Sequence, residues 1–117
     1  MRKVYYLGTC DTCKRIMKDL GVNKDNFELQ DIKKETITPN QLQEMRDLTD
    51  SYMSLFSKRS RKYKEFGLKD KTLSEDEIRD YILQEYTFLK RPVFLIDGNI
   101  YIGNAAKTVE AVRTAIQ

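Results

Sequence analysis

The first third of the chain combines three different patterns of apolar and polar positions. Residues 4–7 form a β-branched and aromatic run that ends at a glycine, which predicts a buried strand entering a turn. Residues 11–20 place apolar side chains on one helical face among charged ones, which predicts an amphipathic helix capped by Gly21. Residues 27–32 alternate as a half-buried strand does, and the short helical crossover favours parallel pairing with the first strand. The chain therefore begins as β-α-β.

Capping signals dominate the middle of the chain. Residues 38–41 read Thr-Pro-Asn-Gln, with a capping threonine, a proline at the first helical position and glutamine at the third, so a helix is expected to begin there and run toward Asp50. Residues 74–77 form a second capping box and predict another helix. Gly67 is expected to end the helical structure around residues 53–66. The middle is therefore predicted to be mostly helical.

The last part of the chain reads as a hairpin followed by a helix. Residues 93–96 and 100–102 are apolar runs joined by Asp-Gly-Asn, which favours an antiparallel β-hairpin. Residues 104–117 carry apolar side chains at helical spacing, and Asn104 is expected to cap that helix. The C-terminal segment is therefore predicted to be β-β-α.

The predicted order of elements defines an α/β fold class. A β-α-β unit, a helical stretch and a β-β-α unit together make a thioredoxin-like layout with an inserted helical subdomain. We expect a single domain over residues 1–117, with residues 1–34 and 88–117 as the thioredoxin-like core and roughly 35–87 as the helical insertion. The length of 117 residues with 40% hydrophobic residues suits one modest core.

The composition argues against several classes of protein and of functional site. No apolar run approaches the ~20 residues of a bilayer span, and the apolar stretch near the start is too short for a signal peptide. We therefore expect a cytoplasmic protein without a membrane segment. The net charge of +3, from 21 basic and 18 acidic residues, falls short of a nucleic-acid-binding signature. With no histidine in the chain, histidine proton transfer, histidine metal sites and a Cys/His pair are excluded.

The candidate chemistry lies in Cys10-Asp11-Thr12-Cys13, at the start of the first predicted helix. Free backbone N–H groups and the positive helix end stabilise a thiolate on Cys10, and Cys13 is spaced to displace a substrate bound there. These are the only cysteines, so a four-cysteine zinc site in one chain is impossible and we predict no metal. The alternative is that both are incidental small residues at a helix start.

Two further features accompany this motif. Arg91-Pro92 precedes a predicted strand, and thioredoxin-like folds place a cis-proline beside the active cysteine, which predicts a cis bond at Pro92. The guanidinium of Arg91 suits the paired oxygens of a small oxyanion or of a carboxylate. An ordinary loop proline and a solvated arginine are the alternatives. Residues 58–62 form a basic cluster suited to an anion or a protein partner, although charge runs are usually solvated faces.

Several motifs together resemble the arsenate-reductase-like (ArsC/Spx/YffB) family. They span nearly the whole chain and comprise residues 8–14 (GTCDTCK), 57–60 (SKRS), 63–68 (YKEFGL) and 90–93 (KRPV). The resemblance implies a thioredoxin-like core with a helical insertion, Cys10 as the catalytic cysteine and Arg91 as an oxyanion-binding arginine before the cis-proline Pro92. The predicted substrate- or oxyanion-binding set is Arg91, Arg59, Arg61 and Thr12.

The resemblance also implies a thiol–disulfide oxidoreductase with Cys10 as nucleophile and Cys13 as resolving thiol. Its substrate would be a small oxyanion, such as arsenate, or a thiol or disulfide. We expect no bound cofactor, with glutathione, glutaredoxin or thioredoxin as reductant. The alternative is an Spx-like redox-sensing regulator that binds the RNA polymerase alpha subunit without contacting nucleic acid directly. A third interpretation is a family member that keeps the fold but has lost the substrate site.

Overall fold

The computed structural model describes all 117 residues, which divide into two compact units. The sheet unit comprises Met1–Glu35 and Arg91–Gln117, and the helical unit comprises Thr36–Lys90. The elements, in chain order, are β1 (Arg2–Tyr6), α1 (Asp11–Asp19), β2 (Glu28–Asp31), α2 (Pro39–Asp47), α3 (Arg61–Glu65), α4 (Glu75–Gln84), β3 (Val93–Ile96), β4 (Asn99–Ile102) and α5 (Ala106–Ile116). None of the helices has the length and apolar character needed to cross a membrane.

The sheet unit contains one four-stranded sheet in the order β2-β1-β3-β4. Strand β1 pairs in parallel with β2 and antiparallel with β3, so that Val4 lies between Leu29 and Phe94. Strands β3 and β4 form the expected antiparallel hairpin. The thioredoxin-like α/β fold predicted from the element order is therefore confirmed.

The core of the sheet unit forms where α1 and α5 cover apolar side chains of the sheet. It is a cluster of buried residues comprising Val4, Ile16, Met17, Leu20, Val22, Phe27, Phe94, Ile96 and Val112. Phe27 and Phe94 pack edge to face, with ring centroids 6.0 Å apart. Each such side chain contributes roughly 1.5–3 kcal/mol on burial. This packing holds α1, and the residues at its N-terminus, against the sheet.

The first helix ends in a Schellman motif. Leu20 is the C-cap residue, and Gly21 follows it in the left-handed conformation with φ of 69°. The Gly21 N–H donates to the Lys18 carbonyl at 3.1 Å and the Val22 N–H donates to the Met17 carbonyl at 2.8 Å. Gly21 therefore ends the helix as predicted, one position beyond the C-cap.

Two predictions at the C-terminal end need correction. Asn99 was expected in the hairpin turn, but it belongs to β4, where it lies opposite Ile96. Asp97 and Gly98 alone make the turn, with φ values of 49° and 91°. Asn104 does not cap α5. The N-cap residue is Ala105, whose side chain has no oxygen to accept a hydrogen bond, so α5 begins without a side-chain cap.

The helical unit begins its longer helices at the predicted capping boxes. Thr38 and Gln41 exchange hydrogen bonds of 3.1 and 3.0 Å at α2, and Ser74 and Glu77 exchange bonds of 3.2 and 3.0 Å at α4. Helix α2 ends at Asp47, short of the expected end. The helical structure predicted around residues 53–66 is discontinuous, with a 3₁₀ turn at Met53–Leu55 and then α3.

Candidate active site

Cys10 is the N-cap residue of α1, at the end of the short loop that follows β1. Its backbone N–H donates to the Leu7 carbonyl at 3.0 Å, and its own carbonyl accepts the first helical bond from Lys14 at 3.2 Å. The Cys10 side chain is partly exposed, whereas Cys13, on the first turn of the helix, is completely buried. Both cysteines are free thiols. The structure therefore presents one accessible and one covered sulfur.

The loop before Cys10 passes very close to the end of β2. A Cβ atom added to Gly8 would lie 2.5 Å from Asp31 Oδ2. The other Asp31 carboxylate oxygen accepts the Lys33 backbone N–H at 3.1 Å, which helps to hold the carboxylate in place. A side chain at position 8 would thus force the loop or the carboxylate to move. The sequence shows a glycine here but does not show what lies against it.

The environment of Cys10 favours a thiolate. Burial of the sulfur by itself raises its pKa, but the other interactions outweigh that effect and the net pKa is lowered. These interactions are a backbone hydrogen bond from Cys13, the Cys13 thiol, the positive charge of Arg91 and a backbone hydrogen bond from Thr12. A thiolate is the reactive form of a cysteine, so Cys10 is the more nucleophilic of the two.

The pKa of Cys13 is shifted in the opposite direction, upward. Three effects raise the pKa of Cys13 to about 12. Burial is the largest, and the others are the hydrogen bond to the Cys10 sulfur and the negative charge on Cys10. A backbone hydrogen bond from Leu7 and the charge of Arg91 lower it only in part. Cys13 is therefore a protonated thiol that donates a hydrogen bond to Cys10.

Arg91 reaches this site from the other end of the chain. The Arg91–Pro92 peptide bond is cis, and Pro92 lies just before β3. Because Val93 pairs with Tyr5 in antiparallel register, the residues preceding β3 lie at the same end of the sheet as the loop that follows β1. Half-buried Arg91 is close enough for its charge to lower the pKa of both cysteines. Sheet pairing therefore brings this cation to the thiols.

The predicted site residues divide between the two units. Thr12 lies on the first turn of α1, where its backbone helps to stabilise the Cys10 thiolate. Arg59 and Arg61 are exposed residues of the helical unit, at the start of α3. Their predicted role in binding an oxyanion stays a prediction. No group of three or more histidine, cysteine or acidic side chains is arranged to hold a metal ion.

Sequence reasoning missed a cavity beside α1. It is about 420 Å³ in volume and includes Tyr6, Lys14 and Lys18 in its wall. These three residues and Cys10 recur at intervals of four in the sequence. Within a helix that spacing keeps side chains on one face, so the interval from Cys10 to Lys18 was an available signal.

The comparison with known families decides the classification. The sequence profile of the ArsC family matches residues 5–112. This chain belongs to the ArsC family. No curated protein matches the chain. Membership of the ArsC family supports a thiol-based oxidoreductase chemistry, consistent with the two cysteines described above.

Solved structures share the ArsC-family fold of this chain. SACOL0876 from Staphylococcus aureus COL is 29% identical, with a TM-score of 0.72 over 95% of this chain and 97% of that one. The arsenate reductase from Vibrio cholerae is 14% identical, with a TM-score of 0.75 over 97% and 96% of the two chains. An arsenate reductase (ArsC) related protein from Brucella melitensis is 21% identical, with a TM-score of 0.69 over 94% and 92%.

Proposed function

We propose that the protein is a thiol–disulfide oxidoreductase in which Cys10 attacks the substrate and Cys13 resolves the resulting adduct. The observation that carries this proposal is the opposite direction of the two pKa shifts. Cys10, the partly exposed sulfur, has a lowered pKa, whereas buried Cys13 has a raised one. The pair therefore divides the two roles of attacking and resolving thiol.

The second step follows from the first. Once Cys10 is bonded to the substrate, it no longer carries the negative charge that helps to raise the pKa of Cys13. Cys13 then loses its proton more readily and attacks the Cys10 sulfur. The bond between Cys10 and the substrate breaks, the substrate leaves with the electron pair, and a Cys10–Cys13 disulfide forms. Two electrons have passed from the protein to the substrate.

Arsenate is the oxyanion substrate that we propose. Cys10 displaces one arsenate oxygen, which leaves as water, and forms a sulfur–arsenic bond. The attack of Cys13 on Cys10 then breaks that bond, arsenic is reduced from As(V) to As(III), and arsenite leaves. Arg91, beside both thiols, suits the negative oxygens of this substrate. We assign a supporting role in anion binding to Thr12, on the first turn of α1. The same role for Arg59 and Arg61, which belong to the helical unit, stays a prediction.

A separate thiol must return two electrons to the Cys10–Cys13 disulfide. Glutathione, used with glutaredoxin, and thioredoxin are the reductants that we propose. The test is an NADPH-oxidation assay with arsenate, coupled to glutathione and glutaredoxin in one series and to thioredoxin and its reductase in another. We expect turnover that saturates with arsenate in one series and is absent from the Cys10→Ser variant. Equal rates with and without active Cys10 would contradict the proposal.

The two cysteine variants separate the two roles. Cys10→Ser is expected to lose all substrate-dependent turnover, because no nucleophile remains. Cys13→Ser is expected to accumulate a mixed disulfide on Cys10 when mixed with a small disulfide, because no resolving thiol displaces the adduct. Intact-protein mass spectrometry measures that adduct. Equal, full activity in both variants would defeat this mechanism.

A redox-sensing regulator is the second candidate function. In favour of it, the residues Lys58, Arg59 and Arg61 of the helical unit are exposed and form no ion pair, which leaves cations available for an acidic protein surface. In this function Cys10–Cys13 oxidation would alter binding to the RNA polymerase alpha subunit rather than complete a catalytic cycle. A pull-down with purified alpha subunit tests it, and redox-dependent capture without arsenate turnover would favour the regulator.

A further inference from the structure

The cavity beside α1 has a basic and apolar lining. Its volume of about 420 Å³ is within the range of small-molecule sites. The lining residues are Tyr6, Lys14, Met17, Lys18, Gly21, Val22 and Asn23. None of them is acidic. The lining thus combines two lysines, a tyrosine and an asparagine with the buried apolar side chains of Met17 and Val22, which suits a ligand with an anionic group on a short apolar stem.

The two lysines are largely available to such a ligand. Lys18 makes no ion pair or hydrogen bond through its side chain. Lys14 has only a distant partner, Asp11, with 4.0 Å between Nζ and Oδ1, and the Asp11 side chain is fully exposed. An exposed pair at that distance contributes little. An incoming carboxylate therefore has little competition for either ammonium group.

One wall of the cavity is held in place by local hydrogen bonds. The Schellman motif fixes the backbone at Gly21, and the Asn26 side chain donates to the Gly21 carbonyl at 2.8 Å. Asn26 also accepts the Asn23 backbone N–H at 2.8 Å, while the Asn23 carbonyl accepts the Phe27 N–H at 2.9 Å. The wall is therefore formed before a ligand arrives, which reduces the ordering cost of binding.

The cavity lies along α1, and Cys10, the N-cap residue of that helix, is not part of its lining. Lys14 and Lys18 follow Cys10 by one and two helical turns, about 6 and 12 Å along the helix axis. Since both lysine side chains are long, flexible and inclined toward the helix N-terminus, they can hold a carboxylate within about 10 Å of Cys10. That is the length of a short carboxyalkyl group.

We propose that this cavity binds the carboxylate of a low-molecular-weight disulfide or thiol whose sulfur reacts with Cys10. This inference rests on the proposed function. The Cys10 thiolate attacks one sulfur of the disulfide and releases one thiolate, and Cys13 then attacks Cys10 and releases the second. The disulfide gains two electrons, the protein forms the Cys10–Cys13 disulfide, and the proton of Cys13 passes to a released thiolate. Lys14 and Lys18 supply selectivity for an anionic substrate.

The test compares two disulfides that differ only in charge. The first is 4,4′-dithiodibutyrate, and the second is its neutral bis-amide. Each disulfide is mixed with the fully reduced protein, and the second-order rate constant for formation of the Cys10–Cys13 disulfide is measured. The readout is the ratio of this constant for the anionic disulfide to that for the neutral one, normalised to the same ratio for free 2-mercaptoethanol. We expect Lys18→Gln to lower this ratio about threefold to fivefold, since an exposed ion pair supplies selectivity of that order. Lys107→Gln, an exposed lysine outside the cavity, is the matched control and is expected to leave the ratio unchanged.

A binding measurement without thiol chemistry accompanies these rates. NMR titration with 4-(methylthio)butyrate is expected to shift the amides of residues 18–23, and the neutral amide analogue is expected not to. If both disulfides react but Lys18→Gln leaves the ratio unchanged, the cavity proposal is overturned and the proposed function stands. If neither disulfide reacts with Cys10 but arsenate is turned over, the cavity proposal is overturned and the proposed function stands. If neither the disulfides nor arsenate react, the proposed function fails. In that case a shift of the amides would show that the cavity still binds an anion. Without such a shift, the cavity is not an anion site either.

Discussion

The proposed site in the sheet unit and the longer helices of the helical unit depend on different kinds of interaction. In the sheet unit, β1 pairs with β3 from the far end of the chain, and that pairing places Arg91 beside Cys10. In the helical unit, α2 and α4 begin at complete capping boxes made by residues three positions apart. The proposed chemistry therefore depends on contacts between distant parts of the sequence, whereas the starts of the longer helices in the other unit depend on local ones.

Local caps do not account for the core of the helical unit. Its centre is an aromatic cluster around completely buried Phe88. Phe88 stacks on Phe56 at 5.2 Å and packs against Phe66 and Tyr81, each at 5.8 Å between ring centroids. Aromatic pairs of this kind add to the gain from burial itself. Caps thus decide where the helices begin, while this cluster holds the unit together.

The largest expected effect comes from removing the centre of that cluster. Phe88→Ala should lower the free energy of unfolding by about 3–5 kcal/mol, because it removes a buried ring and leaves a cavity among the remaining ones. Urea denaturation followed by circular dichroism measures the loss. The matched comparison is Ser74→Ala, which removes one cap of α4 and should cost about 1 kcal/mol. Equal losses in the two variants would show that caps contribute as much as the cluster.

An intermediate effect is expected at the long-range contact that supports the proposed site. Arg91→Ala should raise the pKa of Cys10, because a neighbouring positive charge that favours the thiolate is lost. Below the pKa the thiolate fraction then falls, so alkylation by iodoacetamide at pH 6.5 should slow severalfold, while the rates converge at high pH. Cys13, with its pKa raised to about 12, should stay unmodified at neutral pH.

The control for that experiment is Arg91→Lys, which keeps the charge and should restore part of the reactivity. A rate that stays the same in Arg91→Ala throughout the pH range would show that the local N–H groups of α1 suffice for the thiolate. The Cys10 thiolate would then depend on neighbouring residues, as the starts of α2 and α4 do.

The smallest effect concerns α5, the helix that begins without a side-chain cap. Ala105→Ser places a hydroxyl at the N-cap, where the backbone is already extended with φ of −63° and ψ of 144°. It should raise the free energy of unfolding by about 0.5–1 kcal/mol, because an unpaired backbone N–H gains an acceptor. Asn104→Ala is the companion variant and should cause no comparable loss. A loss near 1 kcal/mol there would restore Asn104 as the effective cap.

Predictions from the sequence were confirmed for features that are formed by residues close together in the chain. The two capping boxes, the stop at Gly21 and the β-hairpin are all made by residues within a few positions of one another, although the hairpin turn is Asp97-Gly98 without the expected Asn99. The Asn104 prediction was wrong because the identity of a cap depends on which residue begins the helix, and a one-residue shift replaces asparagine with alanine. The helix expected around residues 53–66 was also simpler than the observed 3₁₀ turn and short α3.

The sequence by itself determined the order of elements, the ArsC-family resemblance and the two cysteines at the start of α1. Periodicity, capping and motif spacing all act over a few residues, so they can be read along the chain. Tertiary structure alone decided that Cys13 is buried and that Asp31 approaches Gly8. The position of Arg91 near both thiols was expected from the resemblance, and sheet pairing establishes it. Tertiary structure also formed the cavity lined by Lys14 and Lys18. These properties depend on burial and on distances between residues far apart in sequence, which only the folded chain establishes.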